Sequence, residues 1–250
     1  MKNIRILALF VLVLFGATTA QAQSAKPTII LVHGIWADGS SWTDQIRALQ
    51  AKGYKVISVQ NGLTSLADDV AATKRAIQLA EGNVVLVGHS WGGFVITQAG
   101  NEPKVKGLVY VAAFAPDAGE NVPALSAHGA PAEIGQYFVS SGGFVFLSED
   151  GVQKAFAQDL SVAQQHLIYA TQLPAQQTLF GEKSGAPAWK QKPNWFIITQ
   201  NDKALSPDVQ RFMAKRSHAV ITEIASGHVV MQSHPEEVLQ VIEAAANHVK

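Results

Sequence analysis

The chain has 250 residues, of which 48% are hydrophobic and 15% are charged, a balance typical of a globular α/β protein with a large core. Its 19 basic and 19 acidic residues give a formal net charge of zero, which argues against nucleic acid as a partner. The sequence contains no cysteine, which excludes disulfides, thiolate metal sites and cysteine nucleophiles. Any covalent chemistry must therefore use another nucleophilic side chain, such as serine.

The N-terminus has the pattern of a secretory signal peptide. Lys2 and Arg5 precede an apolar run over residues 6–15, and Ala20-Gln21-Ala22 fits an A-x-A cleavage site. The run is shorter than the roughly 20 residues that span a membrane. We therefore expect residues 1–22 to be removed by cleavage near Ala22. The mature protein would be exported, either periplasmic or secreted, with no stable membrane association. An uncleaved membrane anchor is the alternative.

The rest of the chain alternates apolar, β-branched runs with amphipathic helical stretches. Six strands are predicted, at residues 28–33, 54–59, 83–88, 107–112, 195–199 and 219–224. Helices are predicted between the strands and after the last one, for example at residues 41–52, 66–80 and 235–249. Since strands joined by single helices pair in parallel, the expected fold class is α/β, with a doubly wound, mostly parallel sheet.

One long segment, residues 114–190, lacks a strong buried-strand signal. A structureless loop of that length is improbable inside a compact domain, and helical fragments are indicated at residues 152–160 and 162–172. We therefore expect a helical insertion between two parts of a core, residues 23–113 and 191–250. Its scattered aromatic side chains should pack on the sheet domain, and a few should line an apolar pocket.

The pentapeptide Gly88-His89-Ser90-Trp91-Gly92 matches the G-x-S-x-G pattern of a nucleophile elbow. It follows a predicted strand and begins a predicted helix, which is the context that gives the pattern its mechanical meaning. Small residues on both sides allow the tight turn that exposes the serine hydroxyl. Ser90 is therefore the predicted nucleophile.

A serine nucleophile needs a base and an acid that orients the base, and in this type of fold they follow in the order Ser, acid, His. Asp202 follows a predicted strand, and His228 lies between the last strand and the last helix. These two residues are the preferred acid and base. Asp208 is the alternative acid, although a helix-capping role suits it, and His234 is the alternative base because it occupies the same loop as His228.

The negative oxygen that forms during acyl transfer needs N–H donors in place. The backbone N–H of Trp91, directly after the nucleophile, is the first predicted donor. The second is the N–H of Ile35, in the loop after the first strand, where Gly34 would allow close approach of the backbone. This loop and the elbow together predict an oxyanion hole.

The sequence resembles the α/β-hydrolase superfamily over its mature length. Within it, the chain is similar to the esterase and hydroxynitrile lyase branch, which includes plant methylesterases and salicylic-acid-binding esterases. The matching segments are IILVHGIWADGSSW, LADDVAATKRAI with VVLVGHSWGGFVI, LVYVAAFAPDAGE, AWKQKPNWFIITQND and GHVVMQSHPEEV. The resemblance implies a helical cap, a Ser90, His228 and Asp202 triad, and hydrolysis of small carboxylic esters without a metal or an organic cofactor.

Two positions bear on the lyase alternative. The lyases of this branch carry threonine where this chain has Gly34, and lysine directly after the catalytic histidine, where this chain has Val229. Because glycine and valine can neither bind a cyanohydrin hydroxyl nor stabilise cyanide, the resemblance favours an esterase. Gly34, His89 and Val229 are assigned to the substrate-binding surface. Acyl transfer to an alcohol or a peroxide by the same triad, or a ligand-binding protein with a vestigial pocket, are the alternative functions.

Overall fold

The computed structural model describes residues 26–249. The predicted signal peptide, residues 1–22, therefore lies outside the described residues. Within the described part of the chain, no helix is both long and apolar enough to cross a membrane.

The core is a six-stranded sheet in which every neighbouring pair is parallel. The six strands are β1 (Thr28–Val32), β2 (Val56–Val59), β3 (Val84–His89), β4 (Val105–Val111), β8 (Asn194–Thr199) and β9 (Val220–Ile224). Their order in the sheet is β2-β1-β3-β4-β8-β9, which is doubly wound because β2 adds on one side of β1 and the later strands add on the other. Strands β1, β3 and β8 are buried along their whole length, which explains their continuous apolar sequences.

Helices cover both faces of this sheet. The α-helices of the core are α1 (Thr43–Ala51), α2 (Leu66–Leu79), α3 (Gly92–Ala99), α7 (Pro207–Arg216), α8 (Val230–Ser233) and α9 (Pro235–His248). Right-handed crossovers place α1, which leads toward one edge of the sheet, on the opposite face from α2 and α3, which lead toward the other edge. Consistent with this, α1 packs against α9, and α2 packs against α3.

Two local signals explain where the core helices begin. The Ser65 hydroxyl accepts a hydrogen bond from the backbone N–H of Asp68, which caps the start of α2. Pro207 and Pro235 each stand at the first turn of a helix, where the missing N–H costs nothing.

The segment between β4 and β8 contains strands as well as helices. Strands β5 (Phe138–Ser141), β6 (Phe144–Leu147) and β7 (Ala175–Gln176) form a small antiparallel sheet, which the sequence had not predicted. The hairpin turn is Gly142-Gly143, and both residues have positive φ, 58° and 83°. These strands are too short and too exposed to give a buried-strand signal.

The helical part of this segment lies on either side of the small sheet. Its α-helices are α4 (Val122–Ser126), α5 (Glu149–Gly151) and α6 (Val162–Thr171). A π-helical turn, Val152–Phe156, continues α5, and 3-10 turns occupy Glu133–Tyr137, Gln177–Gly181 and Ala188–Lys190. We refer to residues 114–190 as the cap, because several of its side chains line the cavity described below.

Candidate active site

The elbow after β3 holds Ser90 in a conformation that non-glycine residues rarely adopt. Its φ is +52°, in the left-handed region, and the serine lies between the end of β3 and the start of α3. The turn is tight because a side chain at Gly88 or Gly92 would collide with backbone atoms. The tight turn therefore places the Ser90 side chain at the carboxyl edge of the sheet.

His228 and Asp202 meet at the same edge, in the loops after β9 and β8. The Nδ1 atom of His228 lies 2.8 Å from Oδ2 of Asp202, and both side chains are buried. A carboxylate only accepts hydrogen bonds, so Nδ1 donates and Nε2 keeps its lone pair. His228 and Ser90 both border one cavity. The arrangement provides a nucleophile, a base with a free nitrogen and a fixed acid.

The Asp202 carboxylate is held by four donors besides His228. Its Oδ1 accepts hydrogen bonds from the backbone N–H groups of Ala204 and Leu205, at 2.8 and 2.9 Å. Its Oδ2 accepts from the Thr199 hydroxyl and the Gln210 amide, each at 2.8 Å. These bonds fix the position and orientation of the carboxylate.

The alternative acid and base lie elsewhere. Asp208 is exposed and pairs with Arg211 at 3.3 Å. His234 contacts Glu237 at 3.4 Å and borders a different surface cleft, next to β9 and α9. Neither residue lines the cavity that contains Ser90.

The loop after β1 brings the Ile35 backbone to the nucleophile. His33 fixes this loop, because its Nδ1 donates to the Gly34 carbonyl at 2.9 Å while its Nε2 accepts from the Asn61 N–H at 2.9 Å. Burial lowers the pKa of His33, which keeps the ring neutral in this role. Among residues 26–249, the N–H groups of Ile35 and Trp91 have no hydrogen-bond acceptor. Both are therefore available to an oxyanion.

Gly34 lies directly against the nucleophile. A Cβ at this position would be 2.6 Å from Cβ of Ser90 and 3.1 Å from Nδ1 of His89. Real Cβ atoms do not approach this closely, so a larger residue would displace Ser90 or the loop. The threonine of the lyases does not fit this site as it stands.

An apolar cavity of about 360 Å³ opens beside Ser90. His228 is the one titratable side chain among the residues that line it, and Ser126 is the one polar side chain contributed by the cap. The lining residues are Ile35, Trp36, Ser90, Trp91, Phe114, Val122, Pro123, Ser126, Ala132, Ile134, Gly135, Phe138, Phe180, Ala204 and His228. A pocket of this size and lining suits a small uncharged molecule.

Comparison with known proteins identifies the family. The model of the alpha/beta hydrolase family matches residues 29–241. The chain belongs to this family. A carbendazim-hydrolysing esterase from Nocardioides sp. is 34% identical over 131 residues, which cover 46% of this chain and 52% of that protein. The match thus spans about half the length of this curated relative.

Solved structures of other proteins are similar to this hydrolase over its whole fold. Polyneuridine aldehyde esterase has a TM-score of 0.76 at 20% identity, covering 88% of this chain and 99% of that one. An extracellular alpha/beta-hydrolase from Paenibacillus, described as homologous to tobacco salicylic acid binding protein 2, has a TM-score of 0.74 at 21% identity, covering 88% and 98%. These likenesses show a shared fold.

None of the three residues assigned to the substrate-binding surface, Gly34, His89 and Val229, is among those that line the cavity. His89 is completely buried, and its Nε2 donates to the His228 carbonyl at 3.0 Å. Burial, first of all, and the neighbouring His228 hold the pKa of His89 well below its usual value. Val229 is also buried and borders a separate small cavity beside Phe156 and Gln232. His89 therefore supports the backbone of the histidine loop, and neither side chain reaches the substrate space.

The sequence analysis did not single out Trp36, which joins the loop after β1 to the cap of the hydrolase. Its φ is +60°, and its ring lines the cavity. The backbone N–H donates to the Leu173 carbonyl at 3.1 Å, and Nε1 donates to the Val145 carbonyl at 3.0 Å, both in the cap. Its position directly after Ile35 was the available signal of a role at the site. The carbonyls that accept its two hydrogen bonds are more than 100 residues away in sequence.

Proposed function

We propose that this hydrolase is a serine carboxylesterase that cleaves small, uncharged esters through an acyl-enzyme intermediate. The observation that carries the proposal is the hydrogen-bonded pair of His228 and Asp202 bordering the same apolar cavity as the strained Ser90. The names of the relatives, an esterase that hydrolyses carbendazim and an esterase of polyneuridine aldehyde, support an ester as the substrate.

The first half of the reaction forms the acyl-enzyme. Ser90 Oγ attacks the ester carbonyl while His228 Nε2 takes its proton, and Asp202 stabilises the imidazolium. The negative charge that develops on the carbonyl oxygen is bound by the N–H groups of Ile35 and Trp91. When the intermediate collapses, the C–O bond breaks and His228 returns the proton to the departing alcohol.

The second half releases the acid. Water attacks the acyl carbonyl while His228 again accepts a proton, and collapse of the second intermediate returns this proton to Ser90. No group beyond the chain's own residues is needed for the proton balance. The apolar lining of the cavity would bind the acyl or alcohol group by burial of apolar surface, at about 25 cal/mol per Å².

Hydrolysis of p-nitrophenyl acetate, butyrate and octanoate tests the proposal, with the protein compared with its Ser90→Ala variant. We expect Ser90→Ala to reduce kcat by about 10⁵-fold or more while the fold is retained. A fluorophosphonate probe should label Ser90, as read by mass spectrometry of the digested protein. Equal turnover by both proteins would contradict the assignment of the nucleophile.

Two further outcomes would redirect the proposal. If a folded protein forms neither product nor adduct, but binds apolar esters, it is a ligand-binding protein with a vestigial pocket. If added alcohol or hydrogen peroxide diverts most of the acyl group from water, the activity is acyl transfer by the same triad.

We also propose that the esterase acts outside the cytoplasm, on the basis of the signal-peptide pattern in residues 1–22. Expression of the full chain followed by cell fractionation and N-terminal sequencing tests this. We expect an exported protein whose first residue is Gln23. Retention of residues 1–22 in a membrane fraction would instead indicate an uncleaved anchor.

A further inference from the structure

One stretch of the cap, residues 156–159, contacts the loops that carry both the proposed base and the proposed acid. The Gln158 amide donates to the Asn201 carbonyl at 2.9 Å, next to Asp202. The Asp159 Oδ2 atom accepts from the Gly227 N–H at 2.8 Å, next to His228. We call residues 156–159 the clamp segment.

Asp159 is linked through Ser226 to the chain on the far side of His228. Its Oδ2 accepts a second hydrogen bond, at 2.8 Å, from the buried Ser226 hydroxyl, which precedes Gly227 in the chain. The Ser226 and Ser233 hydroxyl oxygens are 2.8 Å apart, and Ser233 is the last residue of α8. His228 therefore lies in a turn whose two ends are joined by one hydrogen-bonded chain that starts at Asp159.

The loop that carries His228 has a glycine where it meets the clamp segment. A Cβ at Gly227 would lie 2.8 Å from Oδ1 of Asp159 and 2.8 Å from Nε2 of Gln158. A larger residue here would push the ends of both side chains away, so glycine allows the Gly227 N–H and the carboxylate to meet as they do. Phe156 completes the clamp segment, because its ring centroid lies 5.4 Å from that of His228.

The clamp segment is itself braced within the cap. It begins at the last residue of the π-helical turn Val152–Phe156, an irregularity that is frequent at functional sites. The buried Gln165 of α6 donates to the carbonyls of Ala157 and Leu160, at 3.0 and 3.2 Å. The Asp159 carboxylate is thus held at a fixed place although the residue is exposed to solvent.

We infer that Asp159 is a positioning residue that fixes the loop carrying His228, so that the cap sets the geometry of the base as well as covering the substrate. The inference rests on the proposed esterase function. Asp159 does not touch the substrate space and acts through Gly227 and Ser226. A hydrogen bond to a carboxylate is stronger than one between two neutral groups. Two such bonds therefore suit a contact that must hold a loop at the surface.

A pair of substitutions separates the hydrogen bonds from the volume of the side chain. Asp159→Leu keeps a similar size but removes the acceptor, whereas Asp159→Asn keeps an oxygen that can accept from Gly227 and Ser226. We expect Asp159→Leu to lower kcat about 10- to 100-fold, with KM for p-nitrophenyl butyrate changed by less than about two-fold, because the base is misplaced while the pocket is intact. Asp159→Asn should restore most of kcat.

The rates are expressed per active site titrated with the fluorophosphonate probe, so that any unfolded fraction does not count. Asp150→Leu is the matched control, since Asp150 is an exposed cap carboxylate that pairs with Lys154 alone. It should leave kcat unchanged. Ser226→Ala, which removes one of the two donors, should lower kcat less than Asp159→Leu does.

The outcomes distinguish this inference from the function on which it rests. If Ser90→Ala is inactive but Asp159→Leu has the parent's kcat per titrated site, the esterase stands and the positioning role is wrong. If Asp159→Leu loses only thermal stability, Asp159 is a structural contact. If Ser90→Ala keeps full activity, the proposed function itself is wrong.

Discussion

The indole Nε1 of Trp91 donates a 2.9 Å hydrogen bond to Oδ2 of Asp69, a buried carboxylate on α2. Oδ1 of the same carboxylate accepts from the backbone N–H of Leu63 at 3.0 Å. Burial raises the pKa of Asp69, and the hydrogen bonds from Trp91 and Leu63 oppose the rise. Because Trp91 follows Ser90 and lines the cavity, this bond ties helix α2 to the loop that carries Ser90.

Replacing Asp69 by leucine should therefore destabilise the fold. Two buried donors would lose their acceptor, and each unsatisfied donor costs about 1 to 3 kcal/mol. Urea unfolding at pH 7 should show a loss of about 2 to 5 kcal/mol in the free energy of unfolding. The exposed neighbour Asp68 provides a matched control, because Asp68→Leu should cost less than about 1 kcal/mol. Equal losses in the two variants would contradict a special role for Asp69.

Two buried histidines should make the protein sensitive to acid. Burial lowers the pKa of His33 and, more strongly, that of His89. Their neutral forms are favoured in the folded state, so the stability they contribute is fully present above the unfolded value near 6.5. It is lost as pH falls from there toward the lower folded pKa, by about 1.4 kcal/mol per pH unit for each histidine.

The slope of unfolding free energy between about pH 5 and 6.5 measures this effect. His89→Gln can still donate to the His228 carbonyl but cannot take up a proton, so it should remove one histidine's share of the slope. An unaltered slope in His89→Gln would show that His89 does not titrate in the way its burial indicates.

The choice of Asp202 as the acid can be tested against the rival considered from the sequence. Asp202→Asn should lower kcat by about 10³- to 10⁴-fold, because the amide no longer holds His228 in the tautomer that leaves Nε2 free. Asp208→Asn should have no effect on kcat, since Asp208 is exposed and contacts Arg211. Steady-state ester hydrolysis at pH 7 decides between them. A large loss in Asp208→Asn alone would reverse the assignment.

The close contact between Gly34 and Ser90 predicts a strong effect of a single methyl group. Gly34→Ala places a Cβ 2.6 Å from that of Ser90 and should lower kcat by about 100-fold, since the nucleophile or the Ile35 N–H must move. Gly135→Ala is the control, because Gly135 lines the same cavity but has open space around the new Cβ. Its kcat should stay close to that of the parent. If Gly34→Ala is fully active, the loop is more adaptable than its packing indicates.

The sequence predicted those parts of the fold in which a local pattern is sufficient. Strands β1, β3 and β8 are buried on both faces, so each reads as a continuous apolar run, and the residues expected at their carboxyl ends lie close to where parallel pairing puts them. Ser90 was found in the same way, because the elbow is a local motif between a strand and a helix. Its role, with those of His228 and Asp202, stays a proposal.

The remaining features depend on contacts between residues far apart in the chain. The bonds of Trp36 to the cap, of Asp69 to Trp91 and of Asp159 to Gly227 join segments that share no sequence period. The β5–β6 hairpin is different, because the Gly142-Gly143 pair between its two strands is a local turn signal. His89 was placed at the substrate because it adjoins the nucleophile, but its buried side chain lies against the histidine loop.

The attachment of the cap through Trp36, Gln158 and Asp159 has a consequence for engineering and for divergence among related enzymes. A cap transplanted from a relative would bring a new pocket lining and would also remove the partners that hold the loops after β1, β8 and β9. Chimeras should therefore lose turnover even when the new pocket fits the substrate. Recombination would preserve turnover best when residues 156–159 are inherited together with the loops that follow β8 and β9.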